Sequence, residues 1–267
     1  MIIDFHTHAF PDALAERAIA ALVKNIEGLY KPVHNGTIGG LLACMDNFGI
    51  DMSVLQPVVT KQSQTKSANE WAAEINDKYR GRIISFGGIF PHTDDYKRDI
   101  DFVCGLGLKG LKFHAEYQDF ILDDEKMLRI YDYALSRNLI LMHHAGADAA
   151  FSPPYKSSPK QFAGIVRELK GGVIIAAHLG GHEQWDDVFE YLAGENIYLD
   201  TSMGFDYFSQ EKFLKILTKH GADKIIFGSD SPWSSANKEI DAIKKLPISE
   251  SGRELIFYGN SKKILNK

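Results

Sequence analysis

Met1-Ile2-Ile3-Asp4-Phe5-His6-Thr7-His8 opens the chain. It reads as a short apolar strand that stops in two histidines one residue apart. Residues i and i+2 of an extended chain share a face. His6 and His8 therefore aim their imidazoles the same way, as the two arms of a metal clamp do. No G-x-G-x-x-G turn follows this strand, which argues against the nucleotide crevice of an open doubly wound sheet. Polar, chemically capable residues at the ends of nearly every strand favour a parallel α/β barrel, whose site lies at the C-terminal ends of its strands.

Seven further apolar segments follow outward from it, at residues 52–58, 82–89, 108–113, 139–144, 173–178, 197–200 and 224–227. Several are unbroken runs of Val, Ile and Leu, which suits parallel strands covered on both faces. Amphipathic stretches lie between them, at 13–24, 37–48, 67–79, 94–104, 123–138, 159–169, 183–192, 210–220 and 237–245, and a last helix is predicted over 250–265. Pro11-Asp12 is a helix start, while Gly49, Gly194 and Gly221 are helix stops and Gly164 weakens the middle of its helix. Eight strands alternating with helices predict a (β/α)8 TIM barrel, with residues 1–267 as one domain.

Composition bounds the function. The chain has 267 residues, 45% hydrophobic and 24% charged, with a net charge of −5. That allows a large core and, without a basic run, excludes nucleic acid and an anionic membrane as expected partners. Cys44 and Cys104 are the only cysteines. They form no C-x-x-C pair, and neither a signal peptide nor a spanning segment is visible, so a cytoplasmic protein is expected. Oligomeric state is not legible; residues 27–37 could reach a partner in a homodimer or cover the site.

The strand ends carry His6 and His8, Gln56, His92, Lys112 and His114, His143 and His144, His178, Asp200 and Asp230. Seven of the ten histidines stand there. One histidine at a strand end is usually structural, but several around one barrel mouth point to a site. Of His143 and His144 only one can face it, and the turn at Gly146 favours His144. His178 precedes Leu179-Gly180-Gly181 and reads as a ligand or as a group holding a water beside a metal. Asp230, after Ile225-Ile226-Phe227-Gly228-Ser229, can ligate a cation and exchange protons. The pocket wall is expected from Gln56, His92, His114, Tyr117, Phe151, Tyr155, Met203 and Trp233, with residues 152–159 as a loop beside it.

Taken in order, Ile3-Asp4-Phe5-His6-Thr7-His8, Gly110-Leu111-Lys112-Phe113-His114, Leu141-Met142-His143-His144-Ala145-Gly146, Ala177-His178-Leu179-Gly180-Gly181, Phe227-Gly228-Ser229-Asp230-Ser231-Pro232 and Tyr258-Gly259-Asn260 resemble the amidohydrolase superfamily. The likeness is to its amidohydrolase-related branch, which includes aminocarboxymuconate-semialdehyde and resorcylate decarboxylases. The resemblance implies one divalent metal held by His6, His8, His144 and Asp230, with His178 and Asp230 as catalytic groups. Zinc suits three nitrogens and an oxygen, and manganese or iron suit the same donors. Lys112 stands where some superfamily members carry a carboxylated lysine between two metals; contact with a substrate carboxylate is the favoured role here. Lys112, His114, Gln56, Tyr117, Phe151 and Trp233 are the expected substrate contacts. The expected reaction is attack of an activated water on an amide, ester or lactone of a small molecule. Non-oxidative decarboxylation of an unsaturated or aromatic acid is the alternative. An inactive metal-binding sensor or scaffold is the reading from another class.

Overall fold

The computed structural model describes residues 1–266. Its strands are β1 (Ile3–Thr7), β2 (Met52–Leu55), β3 (Ile83–Ser85), β4 (Gly110–Phe113), β5 (Ile140–His143), β6 (Val173–Ala176), β7 (Tyr198–Asp200) and β8 (Ile225–Ile226). All neighbouring pairs are parallel, in two runs, β1-β2-β3 and β4-β5-β6-β7-β8. The runs join twice. Gly87 bridges Leu111 between β3 and β4, and Thr7 bridges Ser231 between β1 and the end of β8. Phe5 N donates to Phe227 O at 2.9 Å and Asp230 N to His6 O at 2.8 Å. The ring of eight is thus closed, as the strand–helix alternation predicts.

Burial on both faces explains the apolar strands. Inward side chains, among them Phe5, Val54, Phe86, Met142, Ile175 and Ile226, form an inner cluster that Ile264 and Leu265 also join. Outward ones, such as Leu55, Phe113, Leu141 and Phe227, pack under the helices. One detail breaks the simple alternation. The β1–β2 register slips between Asp4 and Thr7. Phe5 packs in the inner cluster, yet His6, the next residue, meets Lys112 and Asp200 inside the barrel. A bulge of this kind re-aims side chains where a site is built.

Most helices sit where periodicity places them. Thr37 caps Ile38–Phe48 by accepting from Gly40 N, and Gly49, at φ 70°, ends it. Several boundaries shift by one or two residues, among them Thr65–Lys78 against 67–79 and Glu125–Ser136 against 123–138, and two shifts have a visible cause. The helix expected over 94–104 is Tyr96–Gly105, because Asp95 accepts from Arg98 N as its cap. Glu183 has φ 58° and stands outside the helix expected over 183–192; that element is Trp185–Asp187 followed by a π turn, Val188–Leu192. A second π turn, Leu255–Gly259, interrupts the last helix. Among the described residues no helix is long and apolar enough to cross a membrane.

Candidate metal centre

His6, His8 and Asp230 converge at the barrel mouth. His6 Nε2 and His8 Nε2 lie 3.2 Å apart, and Asp230 Oδ1 lies 3.3 Å from the first and 3.1 Å from the second. Each imidazole is held from behind. His6 Nδ1 is 2.8 Å from Asp200 Oδ2, and His8 Nδ1 is 2.9 Å from the carbonyl oxygen of Gln56. With Nδ1–H donating in both rings, both Nε2 lone pairs face the Asp230 carboxylate. Acceptors this close repel one another unless a cation or a donor stands among them, so the donor set fits a divalent metal. Lys112 Nζ, 3.0 Å from His6 Nε2, supplies one donor.

Electrostatics favours the ligand forms. Burial, with Lys112 next, holds His6 well below the ordinary imidazole value. Burial pushes Asp230 up, but His6, His8 and Lys112 together outweigh it and hold the carboxyl below its usual range. Burial lowers Lys112 to about 8, against the pull of Asp230 and Asp200.

His144 and His178 form a second nitrogen pair. His144 Nε2 is 3.1 Å from Ala147 O, and His178 Nδ1 is 2.9 Å from Ser202 Oγ, whose own hydrogen goes to Asp200 Oδ1 at 2.5 Å. That leaves His144 Nδ1 and His178 Nε2 as acceptors facing each other at 3.1 Å. Burial keeps both rings neutral. His144 also stacks on His114, with centroids 4.1 Å apart, and groups with His114 and Asp148 rather than in the tight triad of His6, His8 and Asp230. Gly146 makes the turn below it at φ 83°; a Cβ there would meet His182 N at 2.3 Å. His143 faces outward, stacked on Phe113 with centroids 5.2 Å apart, and burial lowers it to about 3.

An amidohydrolase family model matches residues 3–267. The chain belongs to the amidohydrolase family. A comparison with curated protein sequences returns no match. Among solved structures, 5-carboxyvanillate decarboxylase from Sphingomonas paucimobilis aligns with a TM-score of 0.74 at 17% identity, over 99% of this chain and 98% of that one. A dihydroxybenzoic acid decarboxylase from Polaromonas, with bound manganese and the inhibitor 2-nitroresorcinol, aligns at 0.72 and 17%, over 100% and 97%. A probable 2-pyrone-4,6-dicarboxylic acid hydrolase from Acinetobacter baumannii, with citric acid bound, aligns at 0.69 and 16%, over 100% and 99%. At these identities the likeness speaks for the barrel.

In this amidohydrolase the triad stands at the inner end of a cavity of about 690 Å3. Gln56, Lys112, His114, Tyr117, His144, His178, Met203 and Trp233 all reach its wall. His92, Phe151 and Tyr155 are not among its lining residues. His92 Nε2 is occupied by the carbonyls of Gln118 and Asp119, at 2.9 and 3.0 Å. Phe151 packs edge-on against Tyr117. Asp148 and His182 escape a reading of sequence alone, and Asp200 is placed at a strand end by the sequence without a role. Asp200 orients His6; its place at the end of an apolar strand was the available signal. Asp148 pairs with His114 Nε2 at 3.2 Å. His182 lines the cavity with Nδ1 buried and unpartnered, in a loop where no periodicity marks it.

Proposed function

We propose that this chain is a metal-dependent hydrolase acting on an amide, ester or lactone of a small molecule. The observation that carries the reading is the triad of His6, His8 and Asp230, with both ring tautomers set from behind so that three donor atoms face one point. These three, with His144 from the end of β5, would hold one divalent cation, zinc by donor type, or manganese or iron. Such a cation lowers the pKa of water from about 15.7 towards about 7 and polarises a substrate oxygen.

The chain's own groups do the rest. Asp230, held ionised, accepts the proton of the attacking water and returns it to the leaving group. His178 is neutral, and its Nε2 is an acceptor that orients that water. Lys112, His114, Gln56, Tyr117 and Trp233 bind substrate from the wall, and Phe151 supports Tyr117. Residues 1–267 would act as one domain on a small molecule, in a reducing cytoplasm where Cys44 and Cys104 stay free thiols.

Decarboxylation of an unsaturated or aromatic acid is the second reading. Lys112 favours it, as a buried cation beside the triad suited to a substrate carboxylate. Metal-loaded enzyme should convert esters, lactones or amides with oxygen from labelled water entering the product. Carbon dioxide release without that label would replace hydrolysis by decarboxylation. His8→Ala and Asp230→Asn should each lose bound metal and at least about a hundredfold in activity. Full turnover in either variant would remove its assigned role.

A further inference from the structure

We infer that the substrate is amphiphilic, with a polar hydrolysable head at the triad and an extended apolar chain laid along helix Asp12–Asn25. The head rests on the hydrolase reading above; the tail rests on the cavity wall alone. In that helix Leu14, Ala18, Ala21 and Leu22 recur at i, i+4, i+7 and i+8, the spacing of one face. On a barrel helix such a stripe normally packs against the strands. Here Ala15 is the helix's only buried residue, and the four stripe residues line the 690 Å3 cavity instead, with Val58 and Trp71 also in its wall. Leu14 is 43% exposed.

The same cavity reaches His6, His8, Lys112, His178 and Asp230. One continuous space therefore joins a cluster of donors to a wet apolar wall. Its volume suits a drug-sized ligand and exceeds what one small ring with a carboxylate fills. Arg17 is the one charged side chain that the helix adds to the lining, and it is exposed. A hydrocarbon tail removes the stripe from water, and water or a polar tail does not. The occupant that continuity with the donors selects is thus the substrate's own apolar part.

The test uses metal-loaded enzyme and p-nitrophenyl acetate, butyrate and octanoate. Each added methylene should raise kcat/KM about two- to fourfold. Ala21→Trp fills the groove from an exposed position, and Leu14→Asp makes it polar; each should bring the octanoate-to-acetate ratio down towards one. A second readout needs no turnover: octanoate should displace a fluorescent polyene fatty acid from wild type and from His8→Ala, but not from Ala21→Trp. Displacement without hydrolysis of any ester, lactone or amide would sink the hydrolase reading and leave the groove standing. A flat or short-chain preference together with no displacement would overturn the inference. So would sedimentation showing a dimer that both wall variants dissociate while octanoate fails to displace the probe, because a second copy would then cover the stripe.

Discussion

Asp200 shows how much of this site is set one residue behind the ligands. Its Oδ2 accepts the hydrogen bond from His6 Nδ1–H, while its Oδ1 accepts from the backbone N–H of His178 and of Ser202, both at 2.9 Å. One carboxylate therefore fixes the tautomer of a triad ligand and the path of the chain at His178. Asp200→Asn keeps the size and one acceptor oxygen but weakens the hold on His6. Metal affinity, measured by competition with a chromophoric chelator, is expected to fall about 10- to 100-fold with the far-UV spectrum unchanged. Unchanged affinity would mean that Asp200 serves only the backbone. The His6/His8 spacing is legible in sequence, because strand geometry alone puts i and i+2 on one face. The tautomers are not, since each depends on a partner from another strand: 194 residues away for His6 and 48 for His8.

Elements are positioned by a few polar clamps as well as by apolar packing. Asn69, in the helix Thr65–Lys78, is fully buried. Its Nδ2 donates to Thr65 O at 2.7 Å and Gly88 O at 2.8 Å, and its Oδ1 accepts from Gly88 N at 2.9 Å. It pins that helix to the chain leaving β3. Asn69→Ala strands both polar groups of Gly88 in the interior, so urea denaturation should show a loss of about 2–4 kcal/mol. A loss under about 0.5 kcal/mol would show that the contact is not structural. Helix Gln210–His220 has the limits its periodicity predicts, because its Ser209 cap and the Gly221 stop are local signals. The segment after β6 departs from its pattern where Gly180, Gly181 and Glu183 turn the chain around the His178 end, with Glu183 at φ 58°.

The barrel as a whole closes through a buried seam. Asp4 accepts from Ser229 N at 2.9 Å and from Ser229 Oγ at 2.6 Å, which ties the first strand to the last and sets Asp230 opposite His6. A second buried acid, Glu239, holds the loop after β7 by accepting from Gly204 N at 3.1 Å. Burial pushes its carboxyl from 4.5 up to about 8. Between those values the folded chain keeps a proton that the unfolded chain has released. Glu239 therefore lowers stability progressively as pH rises from about 4.5 to about 8, and its effect is flat above. Glu239→Gln keeps the acceptor without the charge, and should be more stable than the parent at pH 8 by about 1–3 kcal/mol, with a smaller difference near pH 5. Parallel stability curves for the two proteins across that range would refute the assignment. By itself the sequence determined the eight strand–helix units, the parallel barrel and the histidine pair, because periodicity and burial are written locally in each segment. Tertiary structure alone decided which polar groups meet. The slip in β1 turns His6 inward beside Phe5, Asp200 reaches it across the ring, and the apolar stripe of helix Asp12–Asn25 faces a cavity instead of the strands. Those outcomes depend on closing the ring, and no local pattern encodes a contact between residues brought together only by that closure.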